Sequence, residues 1–289
     1  MKRELIEKGI EFAFNKGYIP IFLGNQNGKL NDEYSDYYSV LGTNSNSGEL
    51  SIVVYDNITE QYETGGEIST LLCNYHNINN LYIFVNNLID KGVKRVNIVL
   101  EEIEKWKESD IDNYRNQLDR LADKIVEFYD NSIELEVNVL TDRLYLSEHF
   151  GCEAGNESIA LAPNGKFYLC PAFYFYDEAD SIGDINSGIH IKNQQLLELQ
   201  NAPICMECDA YHCMRCKFLN KKLTGEINTP SRIQCLIGNT ERNITKNLQK
   251  RLIEMGHLSD LELMKDIRYL DPLDKILKRN SKKGIKKYE

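Results

Sequence analysis

Seven of the eight cysteines in this 289-residue chain lie between Cys152 and Cys235, spaced as ligands. Cys152 and Cys170 bracket a hairpin that carries Gly165. Cys205, Cys208, Cys213 and Cys216 form a Cys-x2-Cys-x4-Cys-x2-Cys knot, and Cys235 follows alone. A chain this long buries a self-sufficient core and needs no covalent staples, so thiols at this density point to metal. Only Cys73 precedes residue 152, and the N-terminal half is expected to have no metal site of its own.

The opening MKRELIEKGI is charged every few residues and lacks the apolar stretch of a secretory signal. No later run is long enough to span a bilayer. Both features predict a cytoplasmic protein, where thiols stay reduced and clustered cysteines favour metal over disulfides. A net charge of -10 argues against binding to nucleic acid, which needs a basic surface. The lysine-rich tail over 275–287 is the exception. It reads as a solvated terminus, with docking to an acidic partner as the sharper alternative.

Apolar residues at helical spacing (Leu5, Ile6, Ile10, Ala13 and Phe14) predict a helix over 4–16 capped by Gly17. A short apolar run at 19–23 predicts a buried strand. Residues 24–48 are rich in Asn, Gly, Ser and Asp, with a further strand expected near 37–41. Strands are then expected at 51–55, 69–73, 93–100 and 133–140, with helices at 78–91 and 110–129. That alternation is the grammar of β/α crossover units and a largely parallel sheet.

Past residue 148 the pattern changes. Residues 158–162 and 166–169 read as a hairpin around Pro163-Asn164-Gly165, followed by cysteine-bearing loops and a short helix near 194–199. Helix resumes from Asn239 with Leu248, Leu252 and Met255 on one face, and Asp271-Pro272 opens a last turn or helix. The expected domains are an α/β half-barrel over 1–148, a cluster-binding domain over 149–240 and a helical extension over 241–289.

Zinc and iron–sulfur clusters both bind thiolates gathered from turns. Cys205 and Cys208 make one close pair, Cys213 and Cys216 another, while Cys152, Cys170 and Cys235 must be brought in by the fold. Seven thiols exceed one tetrahedral site and imply two centres, one of them short of a protein ligand. The alternative is one structural zinc on the two close pairs, with the other cysteines buried as small apolar residues. Against it stands the four-residue gap between the pairs, which would close a very tight loop.

Cys152, twelve residues, Gly165, four residues, Cys170, the four-cysteine knot and Cys235 together resemble the SPASM domain of radical S-adenosylmethionine peptide maturases. The family's Gly-Asn/Asp-Ile element after the hairpin is matched by Gly183-Asp184-Ile185. The likeness covers roughly 150–240 strongly and 1–148 loosely. It departs in the knot, where the family spacing is Cys-x2-Cys-x5-Cys-x3-Cys. The resemblance implies two auxiliary [4Fe–4S] clusters. One is held by Cys205, Cys208, Cys213 and Cys235, and the other by Cys152, Cys170 and Cys216 with a vacancy. The split between Cys213 and Cys216 is where the shortened gaps bear most.

The family's catalytic Cys-x3-Cys-x2-Cys triad has no counterpart in the first half, nor does a Gly-Gly-Glu-like segment follow an expected strand there. Cys208-x4-Cys213-x2-Cys216 comes within one residue of it but belongs to the knot. The expectation is a chain that does not cleave S-adenosylmethionine by itself, resembling the partners called CXXX-repeat peptide maturases. That resemblance implies a radical enzyme and a small Cys-repeat precursor peptide as partners, in a homo- or heterodimer. The alternatives are a zinc-stabilised interaction module and a truncated radical enzyme whose cluster segment lies upstream.

Polar residues follow each expected strand: Asp56 and Asn57, Asn74 and His76, Glu101 and Glu102, Thr141 and Asp142. In a β/α barrel they would share the working rim, although Asp, Asn and Glu also favour helix starts for capping alone. His212 is read as a substitute ligand or as a neighbour of the cluster loop. The aromatic residues Tyr168, Phe173, Tyr174, Phe175 and Tyr176 are read as keeping a cluster dry or as a peptide groove. Gly24-x3-Gly28 lacks the third glycine and helix start of a dinucleotide site.

Overall fold

The computed structural model describes residues 1–24, 34, 38–41, 52–55, 68–133, 135–149, 151–206 and 208–264. Asp56, Asn57, Gly28, Asp271, Pro272 and the 275–287 tail lie outside the described residues. In chain order the elements are α1 (Arg3–Lys16), β1 (Ile21–Gly24), β2 (Tyr38–Leu41), β3 (Ile52–Tyr55), β4 (Ile68–Cys73), α2 (Leu81–Asp90), β5 (Arg95–Leu100), α3 (Glu108–Asp130) and β6 (Glu136–Val137). They continue as β7 (Ala160–Leu161), β8 (Phe167–Tyr168), α4 (Pro171–Tyr176), β9 (Gly183–Asp184), β10 (Gly188–Ile189), α5 (Lys217–Thr224) and α6 (Arg232–Glu254).

Strands β3, β4, β5 and β6 form one parallel sheet in that order, and β1 pairs in parallel with β2. On β4, burial alternates so that Ser69, Leu71 and Cys73 point inward, the period of a pleated strand. Their core is completed by Leu81, Phe84, Val85 and Leu88 of α2 and by Ile111, Tyr114, Leu118 and Leu121 of α3. The Gln117 side chain accepts from Tyr82 N at 3.0 Å, so α3 satisfies one of the amides that the first turn of α2 leaves without a helical partner.

Three local expectations change. The run at 19–23 is a strand, but not a buried one: Ile21 is 57 % and Leu23 61 % exposed. The 78–91 helix begins as a 3₁₀ turn, Ile78–Asn80, and becomes α-helical only at Leu81. The strand expected over 133–140 shrinks to β6. There the Asn138 side chain takes over the ladder, its Oδ1 accepting from Ile98 N at 2.8 Å and its Nδ2 donating to Ile98 O at 3.1 Å.

The hairpin forms as β7–β8, with Ala160 opposite Tyr168 and Leu161 opposite Phe167. Gly165 turns it at φ +78°, a backbone region that side chains disfavour. α1 lies against this hairpin, with Phe12 and Phe167 ring centroids 4.7 Å apart. Ile182 N to Phe167 O (2.7 Å) and Ile185 N to Gly165 O (2.9 Å) attach the β9–β10 ribbon to it.

The largest difference is α6. It begins at Arg232, before Asn239, so Cys235 sits in its first turn and the boundary drawn at 240 falls inside one helix. Ser231 opens it with a capping box, accepting from Gln234 N while Gln234 Oε1 accepts from Ser231 N. Leu248 and Leu252 are fully buried in the core of α2 and α3. Burial of each contributes about 2 kcal/mol. Met255 instead caps the helix and is exposed. The same helix thus presents a cysteine at one end and core side chains at the other. Among the described residues, no helix is long and apolar enough to cross a membrane.

Candidate metal centre

All eight cysteines are free thiols. Cys170 ends the hairpin and precedes α4, whose first residue is Pro171, while Cys216 precedes α5. Each therefore stands where a helix leaves its first amides without intrahelical partners. Burial pushes the Cys170 thiol up, the Ala172 and Phe173 amides oppose this, and the neighbouring thiols of Cys216 and Cys152 add to the rise. Cys216 behaves alike: burial raises it, the Leu219 amide opposes, and the charge of Cys152 raises it further. Cys152 reaches this place because its amide donates to Met214 O at 2.9 Å. These three thiols act on one another electrostatically.

The other four form a second group. Burial pushes Cys205 up to about 12, followed by the thiols of Cys213, Cys235 and Cys208, with the Arg215 guanidinium pulling down among them. Cys213 is raised by burial first, with smaller contributions from Glu241 and Cys208, and its Sγ lies 3.8 Å from the position a Cβ would take at Gly238. Cys208 is raised by burial while the Ala210 amide, 3.4 Å from its Sγ, opposes this. Cys235 enters from α6. Cys73 stands apart in β4, pushed up to about 12 by burial and then by Glu101.

Raised thiols are protonated at neutral pH in the metal-free chain, and a bound cation would displace those protons. As the thiols stand, no group of three or more His, Cys, Asp or Glu among the described residues is arranged to hold a metal ion. Thiolate is the donor type that both zinc and iron–sulfur clusters take.

His212, between the two halves of the knot, is buried with Nε2 3.0 Å from Gly238 O and 3.6 Å from Glu241 Oε2. Burial lowers its pKa. Its ring is committed to α6, which makes it a support of the Cys213 loop. On the other side, His149 Nε2 lies 2.6 Å from Cys208 O.

The residues expected on a barrel rim have local duties. Asn74 Oδ1 accepts from His76 N, and Asn77 Oδ1 accepts from Asn74 N. Thr141 is buried and exchanges hydrogen bonds with Val137. Asp142 pairs with Arg95, and Glu102 with Lys105. Of the aromatic residues, Tyr168 and Phe173 are buried beside Cys152 and Cys170, whereas Phe175 and Tyr176 are exposed.

Sequence reasoning missed the buried charges around the knot. Arg215, Lys217, Glu241 and Arg242 are all nearly inaccessible. Arg242 pairs with Asp209 at 2.7 Å, and Arg143 with Glu241 at 2.5 Å. A cavity of about 390 Å³ opens beside them, lined by Arg143, Tyr145, His212, Arg242 and Thr245 among others. The one sequence signal was a run of charges between and just after the cysteines, which reads equally well as surface.

No protein-family model matches the chain, and no curated protein does. Solved structures do. Native anSMEcpe with bound AdoMet and Kp18Cys peptide aligns at a TM-score of 0.53 and 10% identity, over 88% of this chain and 91% of that one. The chain shares the fold of that protein. Two further structures align less well. Hexahistidine-tagged anSMEcpe with bound AdoMet gives a TM-score of 0.49 at 13% identity, over 96% of this chain and 81% of that one. Native anSMEcpe with bound AdoMet and Cp18Cys peptide gives 0.48 at 13% identity, over 88% and 82%.

Proposed function

We propose that this chain is an iron–sulfur partner in the maturation of a Cys-rich ribosomally made peptide, one that does not itself cleave S-adenosylmethionine. The observation that carries the reading is that Cys152 and Cys170 pack on one apolar cluster with Cys152 N bound to Met214 O, two residues before Cys216, while Cys213 lies against Gly238 of the helix that carries Cys235. The ligand sets that the SPASM resemblance implies are compatible with this placement. The shared fold supports the same direction, since the aligned protein was solved with AdoMet and a peptide.

In this reading Cys205, Cys208, Cys213 and Cys235 would hold one [4Fe–4S] cluster, and Cys152, Cys170 and Cys216 would hold a second with one ligand position left to a non-cysteine group. When bound, such clusters supply one-electron transfer and, at the trio, a coordination position for an outside ligand. The chain's own residues do the rest. Tyr168 and Phe173 exclude water from the Cys170 side. His212 and His149 brace the knot from opposite sides, and α6 couples the quartet to the sheet core. The half-barrel and the cysteine-bearing region remain separate units in this account, joined through α6. A radical enzyme and the precursor peptide are the partners.

Iron and sulfide analysis of anaerobically purified protein tests this. Brown protein with several irons per chain is expected. Cys170→Ala should lose part of the iron, and Cys208→Ala should lose more and destabilise the domain. Colourless protein holding zinc alone, or equal and negligible iron loss in both variants, would overturn the reading.

A further inference from the structure

Two buried cations stand at the end of the knot. Lys217 follows Cys216 and is fully inaccessible. Its Nζ donates to Cys152 O at 2.8 Å and to Ala154 O at 2.7 Å. Arg215 lies between Cys213 and Cys216, is 6 % exposed and takes a left-handed backbone at φ +45°. Its guanidinium donates to Leu197 O at 2.8 Å, Glu198 O at 3.3 Å and Asn228 Oδ1 at 3.2 Å, while its Nε is buried with no hydrogen-bond partner. Every acceptor is a neutral oxygen, and neither cation forms a salt bridge with a carboxylate among the described residues.

A buried charge without a contacting counter-ion is strongly unfavourable. Two of them in one short loop, in a protein rich in carboxylates, call for anions of another kind. Cysteine residues touch both: Lys217 Nζ donates to Cys152 O, and the Arg215 amide hydrogen-bonds the Cys213 thiol. Burial lowers the Lys217 pKa and Arg215 lowers it further, against the Cys152 thiol, while Arg215 opposes the rise at Cys205. Each cation is thus tied by a hydrogen bond to one thiol set, Lys217 through the Cys152 carbonyl and Arg215 through its amide on the Cys213 thiol.

We propose that Lys217 and Arg215 are fixed counter-charges, Lys217 for the Cys152, Cys170 and Cys216 set and Arg215 for the Cys205, Cys208, Cys213 and Cys235 set. Three or four thiolates around a cluster carry net negative charge, which the cation offsets where water is excluded. Lys217 also fastens the Cys152 segment to the start of the Cys216 helix and holds two ligands of the incomplete set together. Both act as positioning residues. The inference rests on the cluster reading above for its iron form, and on thiolate binding alone for its general form.

Full-length wild type, Lys217→Gln, Lys217→Arg and Arg215→Gln would be reconstituted with iron and sulfide, and protected thiols mapped by alkylation and mass spectrometry. Lys217→Gln should lose about half the iron and unprotect Cys152, Cys170 and Cys216. Arg215→Gln should unprotect the other four, and Lys217→Arg should keep both sets. Loss of the same thiols in both glutamine variants, or loss of the trio in Lys217→Arg, overturns the proposal. Cobalt(II) alone, titrated into metal-free protein and followed by its thiolate absorption, separates this inference from the cluster reading. Lys217→Gln should weaken cobalt binding at the trio about ten-fold. Unchanged cobalt binding sinks the counter-charge whatever iron does, and wild type that takes cobalt in this Lys217-dependent way but no iron sinks only the cluster reading.

Discussion

Tyr114 Oη donates a 2.7 Å hydrogen bond to Glu241 Oε1, although 127 positions separate the two residues. The bond joins α3, in the sheet core, to α6, which carries Cys235. Glu241 also receives Arg143 Nη1 at 2.5 Å, so one buried carboxylate ties together the core, the 143–147 segment and the His212 loop. Tyr114→Phe removes one charge-assisted hydrogen bond and should cost about 2 kcal/mol. Glu241→Ala leaves Arg143 without its anion and should cost about 4 kcal/mol. Urea unfolding of the metal-free chain measures both, and a larger loss in Tyr114→Phe than in Glu241→Ala would contradict this ranking.

The same carboxylate predicts an acid dependence. Burial pushes the Glu241 pKa up, but Arg143 and the His212 contact outweigh it and hold it at about 2, below the ordinary 4.5. The unfolded chain therefore binds this proton first as pH falls. The carboxylate's contribution is complete above the ordinary value and disappears as pH drops from about 5 towards 2, a loss of roughly 3 kcal/mol. Melting temperatures between pH 6 and pH 3 should fall more steeply in wild type than in Glu241→Gln. Parallel curves would rule this out.

Gly183, opposite Ile189, and Gly188, opposite Asp184, lie diagonally across the β9–β10 ribbon with different demands. Gly183 has φ +135°, and a Cβ there would lie 2.0 Å from Gly188 O, whereas Gly188, at φ +84°, has open space around it. Gly183→Ala should cost roughly 3 kcal/mol because backbone must move. Gly188→Ala should cost about 1 kcal/mol, for its conformation alone. Equal chemical-denaturation midpoints for the two variants would refute the distinction.

Asn138 replaces a strand residue by its side chain, accepting from Ile98 N and donating to Ile98 O. Asn138→Ala strands both groups within β5 and should cost about 2 kcal/mol. Hydrogen exchange offers a local readout: the Ile98 amide should lose protection while the Leu71 amide, inside the sheet, keeps it. Unaltered protection at Ile98 would show that water or a neighbour substitutes for the side chain.

Some features could be read directly from residue order. The helix ending at Gly17, the alternation over β4, the Asn164-Gly165 hairpin and the spacing of Cys205, Cys208, Cys213 and Cys216 all depend on neighbours within a few positions. Periodicity and turn chemistry report such short-range preferences. The β6 segment was misread for the same reason. Its apolar alternation is genuine, but the ladder there passes to the Asn138 side chain, a choice set by Ile98, 40 positions earlier.

The amino-acid order alone established that this chain alternates strands with helices and carries a dense set of thiols chemically suited to metal. Which thiols become neighbours was decided only by the tertiary fold. It bends Cys152 back onto Met214, starts a helix at Arg232 that delivers Cys235, and buries Arg215 and Lys217 against carbonyls far from them in the chain. Those outcomes depend on long-range burial and charge compensation, and neither leaves a periodic trace in the order of residues.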